Sequence, residues 1–316
     1  MQRISVSPWG YGKVMYFVFD DTLTAVFAHL SHFAEPIQKR VIAQHYETKS
    51  PIVDIFFKQN EYSFPAGETI AYTGKTGVGK PHLHFETRRN SDTYVSPFLY
   101  GFRPPDTLPP VIKAIAVIPL SQDSWIEESL LPLSITPQDD FYRQKKGIRF
   151  QGKIGLAISF YDLTDYDNTN RMGIRKLKLL VDDIETFSCV YDSFHRSETK
   201  NIGFLYDGGI EYLFGSRYHR LFIFDSLNAT PVMHNEPNSG ILDFSLLTPT
   251  VHSARIILED FAGNVTECTL SVIPCPIEEI PLQFQYDENN NVIIRFLGEP
   301  KNIGIQFCPK GDTIFK

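Results

Sequence analysis

The stretch that says most about the fold is Pro81-His82-Leu83-His84-Phe85-Glu86. Its alternating pattern is typical of a β-strand with one buried face. Successive strand side chains point to opposite faces, so we expect His82 and His84 to project side by side while Leu83 and Phe85 point into a core. Two adjacent imidazoles suit metal-assisted hydrolysis, in which one binds the metal and its neighbour handles a proton. A solvated strand face with two histidines is the alternative, and the spacing alone does not exclude it.

Further strands are predicted on the N-terminal side of this stretch. Residues Lys13 to Leu30 have the pattern of a hairpin, with a turn at Asp20-Asp21-Thr22 and a returning strand that ends at His29. That returning strand could lie beside the one that carries His82 and His84. A helix is predicted over Pro36–Thr48, and short strands over 53–57 and 69–72.

A glycine-rich loop precedes the two histidines. Residues Gly74 to Lys80 match the phosphate-loop spacing G-x-x-x-x-G-K. Pro81 occupies the position where a nucleotide-binding loop needs Ser or Thr, and the alternation that follows predicts a strand rather than a helix. The sequence therefore excludes a nucleotide partner, and we interpret the glycines as a tight turn that leads into the histidine strand.

Composition favours a β-rich protein. The chain has 316 residues with 25 Phe and 15 Tyr, a net charge of −7 and a pI of about 5.7. The acidic balance gives no electrostatic footprint for nucleic acid. No apolar run approaches the roughly 20 residues of a membrane span, so no integral membrane segment is expected. The first residues do not have the pattern of a signal peptide. Cys189, Cys268, Cys275 and Cys308 are either buried apolar residues or partners in disulfides.

The best domain boundary is Pro104-Pro105-Asp106-Thr107-Leu108-Pro109-Pro110, where four of seven residues are proline. Such a segment favours an extended connector. The fold class predicted for the chain is all-β. Its parts are a small antiparallel β domain over 1–103, the linker 104–110, an immunoglobulin-like β-sandwich region over 111–276 and a partial β unit over 277–316. The strands expected in the sandwich cover 112–118, 154–161, 177–181, 220–224, 254–258 and 269–273, with a turn at 260–264 and a tail hairpin at 289–291.

Several stretches in order resemble a known family. They are Tyr11-Gly12, Thr24-Ala25-Val26-Phe27-Ala28-His29-Leu30, Gly67 to Gly77, and Pro81 to Glu86, with the pattern continuing through Arg88 and Val95-Ser96-Pro97 to Leu99. Together they resemble the lysostaphin-type (LytM-like) zinc metallopeptidases, which are peptidoglycan endopeptidases with a small antiparallel β core. The resemblance covers about the first hundred residues and is more specific than His-x-His alone.

The resemblance implies a role for each of the three histidines. His84 resembles the zinc ligand of the family. His82 and His29 resemble its two catalytic histidines, which handle the proton of the attacking water and stabilise the oxyanion. The implied function is zinc-dependent cleavage of peptidoglycan cross-link peptides in the bacterial periplasm or cell envelope. Glu86 shares the face of His82 and His84 and is either support for them or, as we expect, a solvated carboxylate.

One departure from the family bears on zinc. Its other two ligands form a His-x-x-x-Asp motif ahead of the first strand pair, and the residues before Gly12 include neither His nor Asp. We expect the chain to be an N-terminally incomplete member, or else a degenerate relative that binds peptidoglycan or a partner enzyme without catalysis. An extracellular β-domain binding protein without enzymatic ancestry would account for residues 111–316 only. Substitute ligands, if any, would come from Asp20, Asp21, His32, His45 or Asp54.

Overall fold

The computed structural model describes residues 1–19, 22–127, 129–136, 147–223, 233–234, 239–276, 282–286 and 292–296. Contacts divide the chain into a first unit, Met1–Pro274, and a second, Cys275–Lys316. The structure is mostly β-sheet, as the sequence predicts. Within these ranges, none of the helices combines the length and the apolar composition of a membrane span.

The first hundred residues form eight strands around one antiparallel sheet. They are β1 (Arg3–Val6), β2 (Lys13–Val18), β3 (Leu23–Ala28), β4 (Leu30–Phe33), β5 (Val53–Phe56), β6 (Ala71–Thr73), β7 (His84–Arg89) and β8 (Thr93–Val95). The sheet runs in the order β5-β1-β2-β3-β7-β8, while β4 and β6 pair separately. The hairpin predicted from the sequence is therefore β2–β3; Asp20 and Asp21 of its turn lie outside the described residues.

A helix and the first sheet share an apolar core. The helix α1 (Glu35–Thr48) begins one residue before the predicted start, with Pro36 in its first turn, where a missing N–H costs no helical hydrogen bond. Its buried residues Ile37 and Val41 pack in the same cluster as Ile4 and Ile55 of the sheet. The apolar residues at helical spacing therefore anchor α1 to the sheet.

In its described residues, the second region of the first unit forms fourteen strands. They are β9 (Val111–Pro119), β10 (Trp125–Ile126), β11 (Leu133–Ile135), β12 (Ile148–Gln151), β13 (Lys153–Thr164), β14 (Asp167–Met172), β15 (Lys176–Val181), β16 (Ile184–Val190), β17 (Ser193–His195), β18 (His219–Arg220), β19 (Met233–His234), β20 (Leu242–Asp243), β21 (His252–Glu259) and β22 (Val265–Pro274).

Two sheets of this region share one core. One runs β10-β12-β22-β21-β15-β16-β19, and the other runs β11-β9-β13-β14 with β18 and β20 also paired to β13. Buried Ile115 and Leu156 of the second sheet belong to the same apolar cluster as Leu177, Phe187 and Ile256 of the first. Burying both inner faces against each other is what stabilises two sheets of this kind.

Some predicted elements differ from the observed ones. The histidine strand starts at His84 rather than His82, and Leu83 is half exposed rather than in a core, because it belongs to the turn before the strand. The strand expected over 69–72 is displaced to Ala71–Thr73. The one expected over 220–224 is only His219–Arg220, and Phe224 lies outside the described residues.

Short helical segments interrupt the second region, which the sequence predicted as almost entirely β. They are α2 (Ile202–Leu205), α3 (Gly208–Phe214) and 3-10 turns at Arg196–Asn201 and Phe244–Leu246; another 3-10 turn, Pro97–Tyr100, follows β8. Asp207 caps α3 by accepting a hydrogen bond from the Ile210 amide at 3.0 Å. Segments of one or two helical turns are too short to show a clear period, so the sequence pattern did not predict them.

One strand joins the two regions of the first unit. The strand β17 pairs antiparallel with β8, with Phe194 opposite Tyr94 and their rings stacked at 5.1 Å. The proline-rich residues 104–110 form neither helix nor strand. In the second unit, β23 (Leu282–Tyr286) and β24 (Val292–Phe296) form an antiparallel pair, and the predicted turn at 289–291 lies outside the described residues.

Candidate metal and catalytic centre

Three histidines meet at one end of the first sheet. His84 opens β7 opposite Ala28, His29 follows β3, and His82 lies in the turn before β7. One ligating atom of each histidine lies within 4.8 Å of those of the other two. His29 is buried, His84 half-buried and His82 exposed, so the cluster opens to solvent on the side of His82. The structure thus brings together all three predicted site residues; their roles stay predictions.

His29 has an unusual backbone conformation. Its φ is 58°, a left-handed value that is uncommon for a residue with a side chain. Its amide donates to the Tyr11 carbonyl at 3.0 Å, and its Nδ1 lies 2.8 Å from the Thr76 carbonyl oxygen. A carbonyl only accepts, so Nδ1 carries the proton and Nε2 keeps its lone pair. Backbone strain of this kind is common at functional sites, where the surrounding structure keeps a side chain in one orientation.

The other two imidazoles are held in the same manner. His82 Nδ1 lies 2.6 Å from the Lys80 carbonyl oxygen, which again leaves the lone pair on Nε2. His84 Nε2 lies 2.5 Å from Oε1 of Glu86, so Nε2 donates to the carboxylate and Nδ1 keeps the lone pair. Histidines that ligate metals typically donate their second ring N–H to a carbonyl or carboxylate in this way.

Glu86 is enclosed rather than solvated, contrary to the sequence expectation. Its side chain is 12% exposed and accepts hydrogen bonds from His84, from the Tyr11 hydroxyl and from Arg88 Nε at 2.7 Å. Burial on its own would raise the pKa of Glu86, but these hydrogen bonds and the charge of Arg88 outweigh it and lower the pKa. The carboxylate therefore stays ionised and fixes the His84 ring.

Tyr11 completes this arrangement and was not assigned a role from the sequence. Its ring centroid lies 5.1 Å from that of His84, and its hydroxyl also accepts from Arg88 at 3.0 Å. Burial, followed by the neighbouring Glu86, raises the pKa of Tyr11, so it remains a phenol donor. No local pattern signals this contact, because Tyr11 and Glu86 are 75 residues apart in the chain.

Two glycine turns hold the histidines in place. Gly77 has φ +81°, and a Cβ there would lie 2.2 Å from the Gly10 carbonyl oxygen; Gly12 has φ +66° and would clash with Thr76. The Val78 amide donates to that Gly10 oxygen at 3.1 Å. The loop from Gly74 to Lys80, whose spacing matches a phosphate-binding loop, is thus a turn. Its backbone packs directly against the backbone of a second turn, and it leads into a strand.

Thr76 links three parts of the centre. Its hydroxyl donates to the Leu30 carbonyl at 2.7 Å and accepts from the Lys13 amide at 2.9 Å, while its own carbonyl holds His29. The start of β2, the bend after β3 and the glycine turn are therefore tied together at one side chain.

The substitute ligands considered from the sequence lie elsewhere. His32 stacks on Tyr72 with ring centroids 4.2 Å apart, His45 bonds the Ser50 carbonyl at 2.8 Å, and Asp54 pairs with Arg3 at 2.7 Å. Asp20 and Asp21 lie outside the described residues. In the part of the chain that the structure describes, the cluster contains the three histidines and no carboxylate or thiol.

Comparison with known proteins leaves the family open. No family model, no curated protein and no solved structure matches this chain. The chemistry of the centre therefore rests on its own residues.

Those residues offer zinc one ligand with a carboxylate partner, His84, and two further imidazoles nearby. Zinc takes imidazole nitrogen, and catalytic zinc sites commonly hold three protein ligands and one open position. Here three imidazoles each keep one lone pair, their second nitrogens are engaged, and one side is exposed to solvent. His84, with its carboxylate partner, has the strongest ligand character of the three.

Proposed function

We propose that the chain is a zinc-dependent metalloendopeptidase of the lysostaphin (LytM-like) type that acts on peptidoglycan cross-link peptides. The observation that carries the proposal is the convergence of His29, His82 and His84, one ligating atom of each within 4.8 Å of the others, at the end of an antiparallel sheet. The accompanying fold assignment is a LytM-like core in the first hundred residues and an immunoglobulin-like sandwich after the linker.

Each histidine has a role in this proposal. His84 would hold zinc through Nδ1, with Glu86 fixing its ring from the other side. His82 is exposed and keeps a lone pair on Nε2, so it takes the proton of the attacking water. His29 is buried and rigidly held, and once protonated it stabilises the developing oxyanion of the scissile peptide. A bound zinc ion would polarise that carbonyl and lower the pKa of water to about 7.

The surface beside the cluster suits a peptide. Trp9, Val78 and Leu83 are exposed by 69%, 59% and 50%, and each is a chain neighbour of a residue that builds the centre. Exposed apolar side chains next to a few polar groups are the usual make-up of a ligand site. We expect the peptide stem of the substrate to lie along these side chains.

Zinc titration of the full chain, stripped of metal, tests the assignment. We expect about one zinc per chain, lost in His84→Ala and kept in His29→Ala, with hydrolysis of cross-link peptides abolished in both variants. The matched control is His45→Ala, which removes a helix histidine outside the cluster. Loss of zinc in His29→Ala and His82→Ala as well as in His84→Ala would instead show a three-histidine ligand set and contradict the proton and oxyanion roles.

A second candidate is a non-catalytic relative that binds peptidoglycan or a partner enzyme. It is favoured by one observation, the lack of any carboxylate or thiol in the cluster among the described residues. Absence of zinc binding, together with retention of the chain on purified peptidoglycan, would support this candidate over the hydrolase.

A further inference from the structure

Three carboxylates meet where the linker contacts the second region, far in sequence from the histidines. Asp106 belongs to the linker, Asp162 to β13, and Asp260 to the turn after β21. One oxygen of each lies within 4.8 Å of those of the other two. Like charges so close repel one another unless a proton or a cation lies between them.

Asp162 is the unusual member of this carboxylate cluster. Its residue is 2% exposed, and its Oδ1 is buried without a hydrogen-bond partner. A buried acceptor without a partner has lost its hydration and gained no hydrogen bond, so such atoms need an explanation, for example an ion. Burial, followed by the charges of Asp260 and Asp106, raises the pKa of Asp162 to about 7.

The other two carboxylates are held by backbone amides. Oδ1 of Asp260 accepts from the amides of Ala262, Gly263 and Asn264 at 2.7, 2.7 and 2.9 Å. Oδ1 of Asp106 accepts from the Leu108 amide at 3.1 Å. Both carboxylates are thus oriented before any ligand arrives, which lowers the entropy lost on binding.

Among the described residues, no side-chain cation forms an ion pair with the cluster. The charges that act on Asp106 and Asp162 come from neighbouring carboxylates. Arg103 lines the same small cavity, but it donates to the Phe261 carbonyl at 2.5 Å. The cavity, which Asp106 and Asp162 also line, has a volume of about 10 Å³, room for one water-sized particle.

We propose that Asp106, Asp162 and Asp260 bind one calcium ion that fastens the linker to the second region. Calcium takes about six to eight oxygen ligands in flexible geometry, and carboxylates are its preferred side chains. Zinc would be a poor occupant, since the site offers neither imidazole nor thiolate. Magnesium demands a near-ideal octahedron, which two carboxylates already held by backbone amides do not readily provide. Asn264 already joins the two segments, because its side-chain amide contacts the carbonyls of Asp106 and Leu108 at 3.3 and 3.4 Å.

Calorimetric titration of the chelator-treated full chain with calcium chloride, paired with thermal unfolding, tests this site. We expect one calcium per chain and, at about 100 times Kd, a rise in Tm of about 5 °C. Asp162→Asn should weaken calcium binding at least about tenfold, since it removes a charged ligand. The same variant should raise the Tm of the calcium-free protein, because it removes a buried charge that lacks a partner.

Control variants separate this site from other effects. Asp183→Asn, which alters an exposed carboxylate on another turn, should keep the calcium response, and so should His84→Ala in the histidine cluster. If Asp162→Asn fails to fold, Asp106→Asn in the linker provides the same test. An unchanged Tm on adding calcium, equal binding of magnesium, or an undiminished response in the Asp162 or Asp106 variant would overturn the proposal and leave a proton shared among the carboxylates as the explanation.

Discussion

The Thr76 carbonyl oxygen lies 2.8 Å from Nδ1 of His29, although 47 residues separate the two in the chain. This contact fixes both the ring orientation and the tautomer of a histidine whose backbone is already in the left-handed region. The geometry of the centre therefore depends on a loop that supplies none of its three histidines.

The hydroxyl of Thr76 should be as important as its carbonyl. In Thr76→Val, the Leu30 carbonyl and the Lys13 amide lose their shared partner, so we expect a loss of about 2 kcal/mol in the free energy of unfolding. Thr76→Ser keeps the hydroxyl and should lose less than half as much. Urea unfolding measures both, and a loss in Thr76→Ser that equals or exceeds the loss in Thr76→Val would mean that the methyl group contributes at least as much to stability as the hydroxyl.

The contact between the two glycine turns predicts a contrast between two glycines. Gly77→Ala would bring a Cβ within 2.2 Å of a backbone oxygen at φ +81°, so we expect a loss of about 3 kcal/mol or more in the free energy of unfolding, with weaker zinc binding. Gly67→Ala is the matched control, since Gly67 has φ +89° but no atom within 4 Å, and it should cost about 1 kcal/mol. Similar losses in the two variants would show that the positive φ, and not the contact with the Gly10 oxygen, determines the cost of the added Cβ.

Glu86 should set the zinc affinity of His84. Replacing a carboxylate that orients a ligating histidine typically lowers metal affinity about 10–100-fold, and we expect this of Glu86→Gln. Zinc competition with a chromophoric chelator measures the change. Glu68→Gln, on the exposed turn before β6, should leave the affinity unchanged, and an unaltered affinity in Glu86→Gln would show that Glu86 serves only Tyr11 and Arg88.

A histidine–aspartate pair in the second region should make stability depend on pH. His252 Nδ1 lies 2.6 Å from Asp182 Oδ2, and its Nε2 lies 2.8 Å from the Thr248 carbonyl oxygen. Burial lowers the pKa of His252, but these two acceptors outweigh it and raise the pKa above its ordinary 6.5. The folded protein then binds more protons than the unfolded chain. The stabilisation by this pair is therefore complete below pH 6.5 and is lost as the pH rises through the pKa of His252 in the folded protein.

Variants of this pair test the direction of the effect. His252→Gln should be less stable than the wild type at about pH 6, and the difference should shrink by about pH 9, where the imidazole is neutral. Asp182→Asn should show the same profile. Chemical unfolding across this pH range measures the difference in the free energy of unfolding between the wild type and each variant. A difference that grows toward high pH would contradict the assignment of a charged His252.

The sequence predicted the strands, and which histidines form the centre, better than it predicted the polar contacts that hold those histidines. The β2–β3 hairpin and α1 carry strong periodic patterns, because each buries one continuous face. Leu83 was misplaced because the turn continues up to His84, and alternation alone does not show where pairing begins. The enclosure of Glu86 depends on Tyr11, which lies 75 residues away, and a contact of that kind leaves no trace in local periodicity.

The cluster of Asp106, Asp162 and Asp260 was invisible to the sequence for a related reason. Asp260 belongs to a predicted turn and Asp106 to a predicted linker, and each has an ordinary local role in its segment. Only the packing of three distant segments brings the carboxylates together, and only the burial of Asp162 makes their proximity costly.

The pairing of β17 with β8 affects the order in which the protein folds on the ribosome. Strand β8 emerges roughly 100 residues before its partner, and synthesis proceeds at about 5–20 residues per second, so β8 waits for seconds with one unpaired edge. An open edge of this kind is prone to pair with other chains. Variants that delay folding of the second region should therefore aggregate through the first, even when every residue of the first is unchanged.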